Sequence, residues 1–238
     1  MRHVLEKHPT IQIKMSRETD ETVPLYDRPK MGNEWGADCL VSIHTNAAND
    51  PKANGVETYH SEIGEWGGKF EPRAKWLAIC VQRSLVKVTK LHDRGFKTRL
   101  VTTSGSPIQG MDYYAVLRRA NCPAIIVEVG FHTNPIEENL LKNSDFRQRA
   151  AEAIAEGLLE HLRYEGYGVK CNDNKEVSPM LFADVPDNHW GVNAIKWASG
   201  QGLLTANKEG QFRPNDPITR AEMAAILHRM AGKGMLKQ

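Results

Sequence analysis

Short apolar runs alternate with longer stretches of helical periodicity along most of the chain. Residues 40–43 and 123–127 are apolar and rich in β-branched side chains, which predicts two buried strands. Residues 71–90 and 145–162 carry apolar side chains three or four positions apart, which predicts helices with one buried face. Because strands and helices alternate, we expect an α/β fold with a mainly parallel sheet flanked by helices.

Weaker patterns predict the remaining elements of this part of the chain. Pro9 ends a short helix over residues 2–8. Further strands are expected at residues 10–15, 55–60 and 114–118, and a loop at residues 91–106. A helix over residues 24–35 would contain Pro29. An interior proline costs about 3 kcal/mol, so this helix must begin late or kink.

Each of the two strongest strands carries one polar residue that stands out. His44 follows the first run, at the carboxyl end of a strand, where open α/β sheets bind ligands. It could be a metal ligand, a general base or a structural hydrogen-bonding residue. Glu128 lies inside the second apolar run, and a carboxylate there needs a partner or a cleft. Desolvation would raise its pKa, which suits a general acid or base, although a salt-bridged core glutamate fits the same pattern.

Three motifs give the chain a family resemblance over roughly residues 1–163. Residues 37–47 (Ala-Asp-Cys-Leu-Val-Ser-Ile-His-Thr-Asn-Ala), 55–59 (Gly-Val-Glu-Thr-Tyr) and 127–134 (Val-Glu-Val-Gly-Phe-His-Thr-Asn) resemble zinc-dependent N-acetylmuramoyl-L-alanine amidases of the type 3 class, in both order and spacing. The resemblance implies hydrolysis of the peptidoglycan amide bond between N-acetylmuramic acid and L-alanine, with Zn2+ as cofactor. It also implies that His44 is a zinc ligand and that Glu128 is the catalytic acid/base.

The same resemblance exposes a departure from the family pattern. The family binds zinc through a His in a Gly-His-Gly-Gly motif, a Glu in the first helix and a second His, and only the second His has a counterpart here, His44. A catalytic zinc normally has three protein ligands. The possible substitutes, none of which forms a pair with metal-motif spacing, are His3, His8, His60, His92 and His132. By the same resemblance, residues 1–163 lack the family's first strand and most of its first helix, so we expect a sheet that is open on one side. Because two family zinc ligands have no counterpart, a catalytically inactive wall-binding protein is the alternative.

The last part of the chain has a different character. Residues 164–180 contain two Gly and two Asn together with an Asp, a Ser and a Pro, which predicts a linker. Residues 181–232 resemble a single, small helical S-layer homology module. The resemblance is carried by Phe182, Asp184, His189, Trp190, Gly202, Phe212, Pro214 and residues 219–222. It implies attachment to a secondary cell-wall polymer, with Arg220 in contact with the polymer. An arginine at a helix N-terminus suits an anion, and Thr219 with Glu222 also predicts a capping box.

Composition limits the classes of partner and the cellular locations that fit this chain. A net charge of +2 is too small to predict nucleic-acid binding. No run of apolar residues is long enough to predict a membrane span, and no secretory signal is recognised. An extracellular, wall-associated protein without a signal could be a phage endolysin, a protein released when a mother cell lyses, or a chain with a truncated start.

The cysteines, Cys39, Cys80, Cys122 and Cys171, have no metal-motif spacing, and the first and third are expected in the core.

Overall fold

The computed structural model describes residues 1–164, 182, 184–185, 195, 198–199, 202–207 and 210–232. The chain forms two compact units, Met1–Lys170 and Cys171–Gln238. The predicted linker at 164–180 lies almost wholly outside the described residues, as do Asn188, His189 and Trp190. None of the described helices is both long enough and apolar enough to cross a membrane.

The first unit contains one sheet of four strands with helices on both faces. The strands are β1 (Leu40–Asn46), β2 (Val56–His60), β3 (Asp93–Lys97) and β4 (Ala124–Phe131). The helices are α1 (Arg2–Leu5), α2 (Asp27–Trp35), α3 (Glu71–Thr89), α4 (Ala115–Arg118), α5 (Pro135–Lys142) and α6 (Ser144–Tyr164). The order across the sheet is β1-β4-β2-β3. The β1/β4 and β2/β3 pairs are parallel and the β2/β4 pair is antiparallel, so the expected mainly parallel α/β sheet is confirmed.

The main core lies between the sheet and helices α3 and α6. Ile125 and Val127 of β4 point to this face, where Leu77 of α3 and Ile154 of α6 cover them. The two helices approach closely because Gly157 has no side chain at their contact. A Cβ atom at this position would lie 2.6 Å from the Cα of Val81. Helices α3 and α6 therefore each bury one face against the sheet, as their apolar periodicity predicts.

The opposite face of the sheet carries a smaller apolar cluster. Ala124 and Ile126, which alternate with the residues facing the main core, pack there against Val116 and Leu117 of α4. Cys122 belongs to the same cluster and is buried, as predicted, whereas Cys39 is only half-buried. This cluster forms the floor beside which the candidate site lies.

The predicted strand at residues 10–15 does not form. Ile11 and Ile13 pack against the main core, but residues 12–15 make no backbone hydrogen bond within the described part of the chain. A groove of about 530 Å3 separates this segment from β1, so the two backbones cannot reach the roughly 4.8 Å spacing of paired strands. β1 is thus an edge strand, and the sheet is open on one side, as expected.

Two other elements differ from the sequence prediction. Residues 114–118 form helix α4 instead of a strand, because the carbonyl of Tyr114 accepts hydrogen bonds from the N–H groups of Leu117 and Arg118. The expected loop at 91–106 contains β3, which pairs with β2. Its polar sequence, Asp-Arg-Gly-Phe-Lys, conceals the alternation that would have predicted a strand.

Two helix starts agree with the local sequence. Helix α2 begins late, at Asp27, so Pro29 falls in its first turn, where a missing N–H costs little. The sequence Asn134-Pro135-Ile136-Glu137 predicts a capped helix start, and the Asn134 side chain accepts hydrogen bonds from the N–H groups of Ile136 and Glu137.

The described part of the second unit is a helix with a few ordered contacts before it. Helix α7 spans Arg220–Gly232. Its predicted capping box is confirmed: the Thr219 hydroxyl accepts from the Glu222 N–H at 3.1 Å, and the Glu222 carboxylate accepts from the Thr219 N–H at 2.8 Å. The rings of Phe182 and Phe212 lie 4.8 Å apart, and Asp184 accepts from the Phe212 N–H.

Candidate active site

The strand order brings His44 and Glu128 together. They are direct neighbours in the parallel register of β1 and β4, on the face that carries the smaller cluster. The His44 ring is exposed, and its Nε2 lies 2.9 Å from the Ser42 hydroxyl. Partial desolvation, helped by the positive charge of Arg28, lowers the pKa of His44. The imidazole is therefore neutral at neutral pH, which is the form that can bind a metal or accept a proton.

Glu128 is the most unusual carboxylate of the site. One of its oxygens, Oε2, is fully buried and has no hydrogen-bond partner among the described residues. Burial, together with the nearby negative charge of Glu57, raises the pKa of Glu128 to about 7. A carboxyl group with this pKa can both accept and donate a proton near neutral pH.

Glu57 is a site residue that sequence reasoning missed. It lies on β2, directly across the antiparallel register from Glu128. Although its side chain is almost fully buried, Arg94 Nε donates to its carboxylate at 2.7 Å and Lys97 Nζ at 2.9 Å. Burial alone would raise its pKa, but these hydrogen bonds outweigh burial and lower the pKa to about 2. Glu57 is therefore a permanent anion beside a carboxyl group that titrates near neutrality.

Two further groups hold the Glu57 carboxylate in place. Asn46, at the end of β1, donates to Oε1 at 2.7 Å, and the Tyr59 hydroxyl donates to the same oxygen at 3.0 Å. The only sequence signal for this network was a glutamate in the short β2 run, followed later by the cations of β3. The pairing of β2 with both β3 and β4, which joins these residues, was not predictable from either segment.

A row of tyrosines extends the site away from the carboxylates. The ring of Tyr59 contacts the ring of Tyr114 edge-to-face, with 5.0 Å between centroids, and Tyr113 follows at 5.3 Å from Tyr114. Lys97 lies over the Tyr59 ring, and Arg99 lies over Tyr113. Such a surface offers flat apolar faces and positive charge to a ligand that reaches past Glu57.

The other histidines do not complete a metal centre with His44. The buried His60 faces Phe96, and its Nδ1 lies 3.2 Å from the Ser61 carbonyl oxygen. His132 Nδ1 lies 3.1 Å from the Thr45 hydroxyl. Across the described ranges, no three His, Cys, Asp or Glu side chains are grouped so that they could hold a metal ion. These residues therefore do not fit a three-ligand zinc centre.

The remaining predicted site residue, Arg220, lies in the second unit. It is the first residue of α7 and is exposed. The capping box formed by Thr219 and Glu222 occupies the same helix start, so the cap and an exposed arginine coexist there.

Comparison with known proteins gives the chain its family. The N-acetylmuramoyl-L-alanine amidase family model (Amidase_3) matches residues 1–160, and the S-layer homology domain matches residues 181–224. The chain is 28% identical over 202 residues to the N-acetylmuramoyl-L-alanine amidase AmiA of Escherichia coli, a match that covers 69% of this chain and 65% of that protein. It is 27% identical over 205 residues to the endolysin of Bacillus phage SPP1, covering 83% of this chain and 70% of the endolysin.

Solved structures agree with this assignment. The crystal structure of an N-acetylmuramoyl-L-alanine amidase from Clostridium difficile 630 is 35% identical, with a TM-score of 0.57 over 68% of this chain and 77% of that chain. The chain spans just under two thirds of the Escherichia coli relative, at 65% of its length. From the family match over more than half of its residues, this chain belongs to the N-acetylmuramoyl-L-alanine amidase family and carries an S-layer homology domain.

Proposed function

We propose that the chain hydrolyses the peptidoglycan amide bond between N-acetylmuramic acid and L-alanine, and that its S-layer homology domain attaches it to the cell wall. The observation that carries the enzymatic part is the position of Glu128 between His44 on one neighbouring strand and Glu57 on the other. Two adjacent carboxyl groups with widely separated pKa values are typical of acid/base sites.

The two glutamates have different roles in this proposal. Glu128, with its pKa of about 7, takes a proton from the attacking water and delivers it to the leaving amine of L-alanine. Glu57 stays ionised, keeps the pKa of Glu128 high, and is itself held by Arg94 and Lys97. The exposed His44 ring lies beside Glu128, where it can contact the same substrate amide or a bound metal.

Zinc is the cofactor that the family implies, but the described residues do not provide a complete site for it. Family membership implies Zn2+ with His44 as one ligand, but His44 has no two further ligands around it in the described ranges. The two missing ligands are the specific observation that favours a second candidate function, a wall-binding protein without hydrolytic activity.

Attachment is proposed to use Arg220. The S-layer homology match and an exposed arginine at the start of α7 support contact with an anionic secondary cell-wall polymer. The proposed partners are thus peptidoglycan and this polymer, with the cell wall as the location. The net charge of +2 offers no support for a nucleic-acid partner.

The deciding experiment measures free N-terminal alanine released from purified cell walls by the full chain with zinc added. Release that is lost in Glu128→Gln and kept in Glu138→Gln would support an active amidase. Glu138 is a matched control because it is a surface glutamate of α5 that forms an ion pair with Lys142.

Two other outcomes would count against the proposed amidase. If Glu128→Gln keeps the wild-type rate, the assignment of Glu128 as acid/base is wrong. If the wild-type chain binds walls and releases no alanine, the second candidate function stands. Zinc content measured by elemental analysis then tells whether the metal binds: a ratio well below one zinc per chain agrees with the incomplete ligand set.

A further inference from the structure

The tyrosine row ends at an exposed arginine, which stacks on a tyrosine ring. The Arg99 Cζ lies 3.8 Å from the centre of the Tyr113 ring, and its Nη1 lies 3.4 Å from the Tyr114 hydroxyl. Two further cations of this side, Arg94 and Lys97, are both paired with Glu57. Arg99 forms no ion pair with a carboxylate among the described residues, and its hydrogen bond to Tyr114 is the largest of the effects that raise its pKa. It is the cation of this row that is available to an external anion.

Backbone hydrogen bonds anchor this pair. The Tyr113 N–H donates to the Arg99 carbonyl at 2.7 Å, and Leu100 and Asp112 form an antiparallel bridge between them. The buried Arg118 donates to the carbonyls of Asp112 at 2.6 Å and Tyr113 at 2.9 Å. A charged side chain presented from a fixed backbone loses less entropy when it binds a ligand.

The chemistry of the pair suits a carboxylate. A guanidinium stacked on an aromatic ring uses its flat face and leaves N–H groups at its edge. Those groups match the two oxygens of a carboxylate in a bidentate arrangement. The half-exposed Tyr113 ring adds a flat apolar surface beside it.

The distance from Glu57 indicates which carboxylate could reach the pair. The Tyr59 hydroxyl touches Glu57, the Tyr59 and Tyr114 rings are 5.0 Å apart, and Arg99 is 5.7 Å from the Tyr114 ring. Together the two ring distances span at most about 11 Å, and an extended peptide advances about 3.5 Å per residue, so a peptide that begins beside the Tyr59 ring reaches Arg99 within about three residues.

We infer that Arg99 and Tyr113 form a subsite that binds a free carboxylate of the peptidoglycan stem peptide, two or three residues beyond the scissile amide. This inference rests on the proposed function, because it takes the stem peptide as the ligand of the carboxylate site. It adds a requirement that the proposed reaction alone does not contain: stems whose carboxylates are amidated bind less well.

The test compares two synthetic muramyl tripeptides that differ only in whether the carboxylates of the second and third residues are free or amidated. Calorimetry with the full wild-type chain should show about tenfold tighter binding of the free form, as expected for a hydrogen-bonded charge pair. Arg99→Ala should bind both forms equally, and Tyr113→Ala should weaken the preference. Arg149→Ala removes the same charge from an exposed position on α6 and should keep the preference.

The outcomes distinguish this inference from the proposed function. Equal binding of both tripeptides by the wild-type chain, or a preference that survives in Arg99→Ala, would overturn the subsite and leave the amidase proposal standing. Failure of the wild-type chain to bind either tripeptide would overturn both proposals.

Discussion

At the scale of single residues, the surroundings of a side chain decide its chemistry more than its identity does. Glu57 and Glu128 are both largely buried glutamates on adjacent strands. Glu57 accepts hydrogen bonds from two cations and its pKa falls to about 2, whereas Glu128 has no such partner among the described residues and its pKa rises to about 7. The two groups can therefore hold different protonation states at the same pH.

His161 gives a residue-scale prediction about stability. Its ring is fully buried in α6, and neither ring nitrogen has a hydrogen-bond partner among the described residues. Burial, with a contribution from the charge of Arg73, lowers its pKa to about 3. Above pH 6.5 the ring is neutral in both the folded and unfolded states. Below that pH only the unfolded state takes up the proton, so stability falls by about 1.4 kcal/mol per pH unit until the folded pKa is reached.

His161→Leu should remove this dependence of stability on pH. Between pH 7 and pH 5 we expect the free energy of unfolding, measured by urea titration, to fall by about 2 kcal/mol more in the wild-type chain than in the variant. The exposed His3, replaced by Leu, is the control and should behave like the wild type. Parallel pH profiles for wild type and His161→Leu would contradict the prediction.

At the scale of elements, the open edge of β1 is the feature that the pattern of apolar residues does not predict. The Leu40 N–H donates to the Pro123 carbonyl, so the N–H groups of alternate residues, Ser42 and His44, face β4 as well. The N–H groups of Val41 and Ile43 then point towards the groove beside residues 10–17.

Hydrogen exchange followed by NMR tests this edge. We expect the amides of Val41 and Ile43 to exchange much faster than those of Ser42 and His44, because only the second pair is bonded within the sheet. Equal protection of all four amides would mean that another segment pairs with β1. Ile125 and Val127, in the interior strand β4, should be the slowly exchanging reference.

The contact between α3 and α6 gives a second prediction at this scale. A methyl group at Gly157 would lie 2.6 Å from the Val81 Cα and 2.7 Å from the Cys80 carbonyl oxygen, and neither backbone atom can move alone. Gly157→Ala should therefore destabilise the fold by about 2 kcal/mol in a thermal or urea unfolding experiment, despite the better helix propensity of alanine.

Gly32→Ala is the matched control for that experiment. Gly32 is also helical, but the added methyl would meet only the flexible Cδ1 of Leu40, at 3.2 Å. We expect a change in unfolding free energy within about 0.5 kcal/mol for this variant. A similar loss in both variants would mean that the close helix contact at Gly157 is not the cause.

At the scale of the whole molecule, the family match and the S-layer homology match fall in separate units. The predicted boundaries, 1–163 for the amidase part, 164–180 for the linker and 181–232 for the module, remain a prediction at the level of single residues. Separate units imply that the proposed wall attachment and the proposed hydrolysis can be lost independently.

Paired variants test that independence. Arg220→Ala should weaken binding to purified secondary cell-wall polymer about tenfold and leave binding to muramyl tripeptides unchanged, because the charged hydrogen bond proposed for Arg220 belongs to the second unit. Glu128→Gln should keep polymer binding. Lys30→Ala, which removes an exposed charge from the first unit, is the control. Loss of polymer binding in Glu128→Gln would contradict independent function.

The sequence by itself determined the features that depend on neighbouring residues. Apolar runs predicted β1 and β4, periodicity predicted α3 and α6, and short cap patterns predicted the helix starts after Asn134 and Thr219. Each signal lies within a few residues of the element it predicts, so no tertiary contact is needed to read it.

Only the tertiary structure decided which elements meet. Pairing of β4 with β2 brought Glu57 to Glu128, pairing of β2 with β3 supplied Arg94 and Lys97, and the gap beside β1 kept residues 10–15 from forming a strand. Strand order depends on packing between segments far apart in the chain, which local propensity does not encode. The pKa values of the site follow from that packing, because burial and nearby charge set them.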